Sequence, residues 1–144
     1  MDEHLRDLVM LHAVATWYMV GLIWFVQVVH YPLMALVGAE KYTQYQTRHM
    51  RVTGWVVGPA MIIEVMTLAL LSVSDLKEYD AFFIWGSGAL LALIWCSTAF
   101  QQVPQHQRLL GGFNAEAHRR LVRSNWTRTI AWTFRGFLVT SLLF

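Results

Sequence analysis

Residues Ser124 to Arg135 read Ser-Asn-Trp-Thr-Arg-Thr-Ile-Ala-Trp-Thr-Phe-Arg, and the residues after them, Gly136 to Phe144, are almost wholly apolar. This stretch predicts the start and middle of a membrane-spanning helix that carries two arginines. At about 100° per residue its polar side chains share one narrow face. The predicted inward face is Asn125, Arg128, Trp132 and Arg135, and the predicted outward face is Trp126, Ile130, Phe134 and Phe137. A polar stripe in lipid must contact protein, water or a ligand, so the contacts of the two guanidinium groups decide the function.

The composition places the whole chain in a membrane. Hydrophobic residues make up 56% of it and charged residues only 14%, which is typical of an integral membrane protein. The amino terminus is acidic and no small-residue cleavage site follows the first apolar run, so we expect a retained helix and not a signal peptide. A single cysteine, Cys96, excludes an intrachain disulfide, and a dispersed net charge of +2 argues against nucleic acid as a partner.

Four long apolar segments predict an all-α fold, a four-transmembrane-helix bundle in one integral membrane domain over residues 1–144. The predicted spans are residues 8–31, 54–73, 81–103 and 124–143. Pro32 and Pro104 lie where the first and third spans are expected to end. The segments between the spans, 38–53 and 113–123, are polar and amphipathic, so we predict a short interfacial helix in each of these two loops.

The charges of the loops predict the orientation. The first and third loops are basic, whereas the amino terminus and the middle loop are acidic. The basic residues are Lys41, Arg48 and Arg51 in the first loop, and Arg108, Arg119, Arg120 and Arg123 in the third. The positive-inside rule therefore predicts that both long loops are cytoplasmic and that both termini lie outside.

Two charged residues are predicted to meet in mid-membrane. Glu64 and Arg135 each lie about ten residues from the cytoplasmic end of their spans, roughly 15 Å deep at 1.5 Å per residue. Because either charge alone would be costly at that depth, we expect them to pair. The pair is interpreted either as a structural ion pair that fixes helix register or as part of a reaction site.

The same estimate of depth places a group of polar residues from several helices near the cytoplasmic edge. They are Gln27, His30, Gln101, Gln102, His106, Asn125 and Arg128, with His49 from the first loop. Three histidines and a carboxylate in one bundle can bind iron, copper, zinc or haem. No pair of them has a ligand spacing on one helix. The alternative interpretation is interfacial histidines that bond to backbone or lipid.

Seven tryptophans are spread over the four predicted spans. Some belong to the aromatic belts at the membrane surfaces. The deeper ones, Trp24, Trp95 and Trp132, could line a pocket for a flat apolar molecule such as a quinone, a porphyrin or a polyketide, with Arg128 or Asn125 on its carbonyl or carboxylate. Packing in the bundle core is the alternative for each of them.

The carboxy-terminal part contains Val103-Pro104-Gln105-His106-Gln107-Arg108-Leu109, then Leu121, then Asn125-Trp126-Thr127-Arg128-Thr129. This pattern resembles small bacterial four-helix membrane proteins and, more distantly, the anthrone-oxygenase-like membrane family. In that family a proline-polar-polar-leucine segment after the third helix precedes a tryptophan-and-arginine entry to the fourth. In a bacterial cell we expect such a protein in the inner membrane, where the termini placed outside by the positive-inside rule are periplasmic. The resemblance implies an oxidation of a planar aromatic polyketide by molecular oxygen. It also implies that His106, Asn125, Trp126 and Arg128 line the substrate site.

The leading functional prediction is therefore a membrane oxygenase or oxidoreductase that binds a redox metal, a haem or a planar aromatic ligand in a polar site near the cytoplasmic face. The predicted metal ligands are His30, His49 and His106; the catalytic residues Glu64, Arg128 and Arg135; the substrate-binding residues Gln102, Asn125, Trp126 and Trp132. The alternative is a non-catalytic accessory subunit of a larger membrane complex, for which Gly54 and Gly58 would let another helix approach. Expected partners are the lipid bilayer, an apolar or aromatic small molecule, and further copies of the chain or a larger complex.

Overall fold

A computed structural model describes residues 3–74 and 78–143, with side chains over 3–74 and 81–143, and every regular element in this part of the chain is helical. Four long helices form a bundle. Helix α1 is Glu3–Met34, helix α2 is Ala39–Ser72 and helix α4 is Ala115–Thr140. Helix α3 begins as Glu78–Ser97, continues through Thr98–Gln102 and Val103–Arg108, and ends in the 3₁₀ turn Leu109–Gly111.

Three of the helices are long and apolar enough to cross a membrane, judged by length and composition: α1, α2 and the part of α3 from Ala81 to Gly111. Helix α4 is not among them. Its first two turns are charged, and Arg128 and Arg135 interrupt the apolar part that follows.

The prediction of separate interfacial helices in the two loops is wrong. The segment 38–53 runs without a break into the second predicted span, and 113–123 runs into the fourth, because no residue at either junction ends a helix. The helical structure breaks between α1 and α2, at residues 35–38, and again just before α4, where Gly112 has a φ of 124° that side-chain-bearing residues rarely adopt. Asn114 then caps α4, its side-chain oxygen accepting the Ala117 N–H at 2.8 Å.

Helices α1 and α3 each contain a π turn at the same position relative to a proline. The turn Val26–His30 is closed by the Tyr31 N–H on the Val26 carbonyl, and the turn Thr98–Gln102 by the Val103 N–H on the Thr98 carbonyl. Pro32 and Pro104 follow two residues after these turns. A proline has no N–H and its ring clashes with the carbonyl four residues back, so an extra residue in the turn relieves both problems and the helix continues. Both helices continue past their prolines, so the prediction that the first and third spans end at Pro32 and Pro104 is wrong.

The helices pack in the order α2, α1, α4, α3. Helix α1 packs along both α2 and α4, and α4 packs along α3, whereas α2 and α3 touch little. We call the line between these two helices the α2/α3 seam. The predicted faces of α4 are confirmed: the four inward residues are buried, and the four outward residues, Trp126, Ile130, Phe134 and Phe137, are exposed.

Candidate functional site

The ion pair expected in mid-bundle is present. Arg135 donates from one terminal nitrogen to Glu64, and both side chains are 0% exposed. The second carboxylate oxygen of Glu64 accepts the indole N–H of Trp132 at 3.0 Å, and Arg135 Nε donates to Ser87 Oγ at 3.2 Å. Both charges therefore have several hydrogen-bonding partners inside the protein, as a buried pair requires.

His12 completes this network from α1. Thr67 donates its hydroxyl to the Ile63 carbonyl at 2.6 Å, so His12 Nδ1, 2.6 Å from the same hydroxyl oxygen, carries the proton and donates. His12 Nε2 is then free to accept from Arg135 at 3.4 Å. The network joins all four helices around one ion pair. The structural interpretation of Glu64 and Arg135 fits this arrangement, because neither residue lines the chamber described next.

Arg128 lies two turns before Arg135 and is held differently. It is 7% exposed, one terminal nitrogen donates to Asn125 Oδ1 at 3.2 Å, and its guanidinium carbon lies 5.2 Å from the centroid of a Trp132 ring. It also interacts with the phenol of Tyr31. Its Nε–H is buried with no partner, and no carboxylate in the described part of the chain pairs with it. Among the described side chains, the buried positive charge of Arg128 thus has no counter-charge.

This guanidinium lines a partly enclosed cavity of about 130 Å³, which we call the chamber. The polar side of the chamber consists of Tyr31, His49, Thr53, Thr98, Gln102, His106 and Arg128. Its apolar side consists of Met19, Leu22, Ile23, Val26, Val57 and Val103. Pockets for drug-sized ligands measure about 300–1,000 Å³, so the chamber accepts a compact group and not a whole three-ring polyketide.

A directed chain of hydrogen bonds runs along the polar wall. Gln46 Nε2 donates to the His106 carbonyl at 3.1 Å, which orients the amide, and the same nitrogen lies 3.0 Å from His106 Nδ1. Nδ1 must therefore accept, so His106 is the neutral tautomer with its proton on Nε2, directed at the Tyr31 hydroxyl oxygen 3.3 Å away. Tyr31 donates onward to Gln102 Oε1 at 3.0 Å, and Gln102 donates to Ser124 Oγ at 2.8 Å. All four helices contribute to the chain.

The three predicted metal ligands lie together, but as a ring stack. The ring centroids of His30 and His49 are 4.6 Å apart, and those of His49 and His106 are 5.2 Å apart. His30 Nε2 is bonded to Tyr45 at 3.4 Å, His49 Nδ1 to Thr53 at 3.0 Å, and both nitrogens of His106 are engaged as above. Within the described ranges, no group of three histidine, cysteine or acidic side chains is arranged to hold a metal ion. The arrangement does not fit an iron, copper or haem site.

The predicted substrate-binding residues divide into three groups. Gln102 lines the chamber. Asn125 and Trp132 lie behind it and position Arg128, with Asn125 itself donating to Gln27 Oε1 at 2.8 Å. Trp126, which the resemblance places in the site, lies outside the chamber: it follows the inward-facing Asn125, is exposed, and packs edge-on against Trp24 with ring centroids 5.7 Å apart.

Two residues of the site were not predicted from the sequence: Tyr31 and Gln46. In a regular α-helix Tyr31 would point about 100° away from His30, which was expected to face inward. The π turn before Pro32 rotates the helix so that Tyr31 is buried and His30 only half-buried. The signal available in the sequence was the proline itself. Gln46 lay in the segment expected at the membrane surface.

No protein-family model matches this chain, and neither curated proteins nor solved structures provide a match.

Proposed function

We propose that this protein is a four-span inner-membrane bundle, with α4 as the fourth span, its basic loops in the cytoplasm and both termini on the opposite side. The burial of α4 supports its role as a span: both arginines face the other helices, while aromatic and aliphatic residues cover the side directed outward. Because both guanidinium groups face the other helices, this span meets lipid mainly with apolar side chains, and its two charges do not oppose insertion. The concentration of basic residues at one end of the bundle supports the orientation.

We infer that the chamber binds a compact group through an anionic or carbonyl oxygen held by Arg128. One observation carries this proposal: Arg128 is buried at the chamber wall without a carboxylate, whereas Arg135 on the same helix has Glu64. An uncompensated buried guanidinium costs several kcal/mol unless it is paired, and a ligand oxygen would supply the pairing. The unpartnered Nε–H offers a donor for it.

Tyr31 and His106 line the chamber beside Arg128 and lie where they can contact that oxygen. Tyr31 contacts both Arg128 and His106, and its hydroxyl is a member of the directed hydrogen-bond chain. Arg128 would stabilise the anion of a phenol or enol bound in the chamber, and this anion reacts with molecular oxygen more readily than the neutral form. An oxygenase of the kind implied by the resemblance would thus use Arg128, Tyr31 and His106, with one ring of its substrate in the chamber.

The direct test uses small probes in lipid nanodiscs: benzoate for an anionic oxygen, acetophenone for a carbonyl oxygen, and toluene for neither. We expect benzoate and acetophenone, but not toluene, to bind in an Arg128-dependent way. Arg128→Gln should raise their Kd by roughly 10- to 100-fold, because it removes a charge-assisted hydrogen bond of about 1.5–3 kcal/mol. Arg123→Gln, an exposed arginine on the same helix, is the matched control and should bind like the wild type.

The competing function is the non-catalytic accessory subunit. It predicts that no probe binds the chamber above the level of toluene and that Arg128→Gln changes nothing in the binding experiment. Equal binding of all three probes to the wild type and to Arg128→Gln would therefore contradict the proposed site and favour the accessory role.

A further inference from the structure

A second cavity adjoins the chamber. This cavity, which has a volume of about 130 Å³ and which we call the gap, is lined by His49, Met50, Thr53, Gly54, Val103 and His106. Four of these residues, His49, Thr53, Val103 and His106, also line the chamber. Gly54 and Val103 are exposed on the outer surface of the bundle. The gap therefore lies between the chamber and the outer surface of the bundle.

The gap opens sideways, on the α2/α3 seam. Gly54 lies on α2 and Val103 on α3, two helices that are both apolar enough to span a membrane and that touch little. These two residues also mark the ends of the apolar parts of their helices, so the gap lies at the level where lipid headgroups meet acyl chains. Toward the other end of the same seam runs a groove of about 1160 Å³ lined mainly by apolar and aromatic side chains, among them Val65, Trp85 and Trp95.

The route from the cytoplasmic end is closed. A cluster of buried residues fills the bundle beyond Tyr31, and its fully buried members include Met34, Tyr42, Leu109 and Leu121. The hydrogen bonds from Tyr31 to Gln102, and from Gln102 to α4, close the wall between this cluster and the chamber. A ligand that enters from water would have to break this packing, whereas one that enters from lipid would not.

Resting on the function proposed above, we propose that the natural ligand of the chamber is an amphiphile that enters laterally from the bilayer through the gap. Its compact carboxylate or carbonyl head lies on Arg128, and its apolar tail passes between Gly54 and Val103 into the lipid. The chamber is large enough for the head of such a molecule but not for its tail. The gap gives the apolar tail a path into the lipid.

Photolabelling in nanodiscs tests both the head and the tail. One probe is palmitate with a diazirine in the part of the chain near the carboxylate; the second has the same tail and diazirine on a benzoquinone head. We expect saturable labelling of Met50 and Val103 that excess unlabelled palmitate or quinone removes. The probe that labels identifies the head as a carboxylate or a carbonyl.

The variants separate the route from the site. Gly54→Phe places a benzyl group in the gap, where a Cβ meets no atom within 4 Å, and should reduce saturable labelling at least tenfold. Gly58→Phe is the matched control, since a Cβ there is equally free of contacts but lies one turn away from the gap; it should label like the wild type. Val103→Trp narrows the gap from α3 and serves if Gly54→Phe does not fold. Arg128→Gln should abolish saturable labelling.

Each of the other possible outcomes would overturn a specific part of the proposal. Labelling that Arg128→Gln removes but that Gly54→Phe and Val103→Trp leave intact overturns lateral entry and leaves the proposed function standing. Labelling that spreads evenly over the lipid-facing surface and ignores Arg128→Gln, together with Arg128-dependent benzoate binding, overturns the amphiphile alone. Loss of Arg128-dependence for benzoate and for both photoprobes overturns the proposed function and this inference together.

Discussion

Replacing Glu64 by alanine should lower the free energy of unfolding by about 3–5 kcal/mol, because it leaves the Arg135 guanidinium buried without its counter-charge. The indole N–H of Trp132 also loses its hydrogen-bond acceptor. His12 is affected indirectly, because its contact is with Arg135. Thermal unfolding in mild detergent, together with the yield of monodisperse protein, measures the effect. We expect most of the Glu64→Ala protein to be lost during extraction.

Two controls make this result specific. The double variant Glu64→Leu, Arg135→Met should recover most of the stability, because apolar residues of similar volume replace a buried ion pair with little loss. Glu116→Ala removes the exposed pairs with Arg119 and Arg120 and should leave the unfolding temperature unchanged within error. A Glu64→Ala protein as stable as the wild type would show that the pair is dispensable and would reopen a role for Glu64 in chemistry.

Arg128→Met should act in the opposite direction and raise the free energy of unfolding by about 1–4 kcal/mol in the absence of ligand, because it removes a buried charge that has no carboxylate partner. Stability that is given up at one residue for the sake of binding is expected at functional sites. Methionine keeps an unbranched apolar stem but removes the guanidinium group and with it the contact that Arg128 makes over the Trp132 ring. The same thermal measurement applies, and the variant should no longer be stabilised by benzoate.

Arg135→Met is the matched comparison, since it makes the same substitution two turns away on the same face of α4. It leaves the Glu64 carboxylate unpaired and should destabilise the protein as strongly as Glu64→Ala. If Arg128→Met destabilised the protein as much as Arg135→Met does, Arg128 would have a structural role and its apparent lack of a counter-charge would have no functional meaning.

The sequence predicted the inward face of α4 because a helix repeat is regular: Asn125, Arg128, Trp132 and Arg135 are all buried, as spacing alone required. It also predicted the pairing of Glu64 with Arg135, since two lone opposite charges at one depth have few other partners. Both inferences depend on local periodicity and on the high cost of charge in lipid, and these are visible in one sequence.

The parts that escaped prediction depend on departures from a regular helix. The π turns before Pro32 and Pro104 change which residue faces the chamber, so Tyr31 replaces His30 as the hydrogen-bonding centre of the site. The proximity of the three histidines was expected, but their stacking was not, because ring orientation is set by neighbours such as Thr53 and Tyr45. Composition alone therefore suggested a metal site that the geometry does not provide.

The most direct test of the uncompensated arginine is the ¹H–¹⁵N spectrum of the arginine side chains, recorded in nanodiscs while benzoate is added. We predict that the Nε–H signal of Arg128, assigned by its absence in Arg128→Gln, shifts with saturation as its free donor gains a partner. The Nε–H signal of Arg135, already bonded to Ser87, should stay in place. Benzoate binding that leaves the Arg128 signal unmoved, or that moves both signals equally, would contradict the proposal that Arg128 holds the ligand.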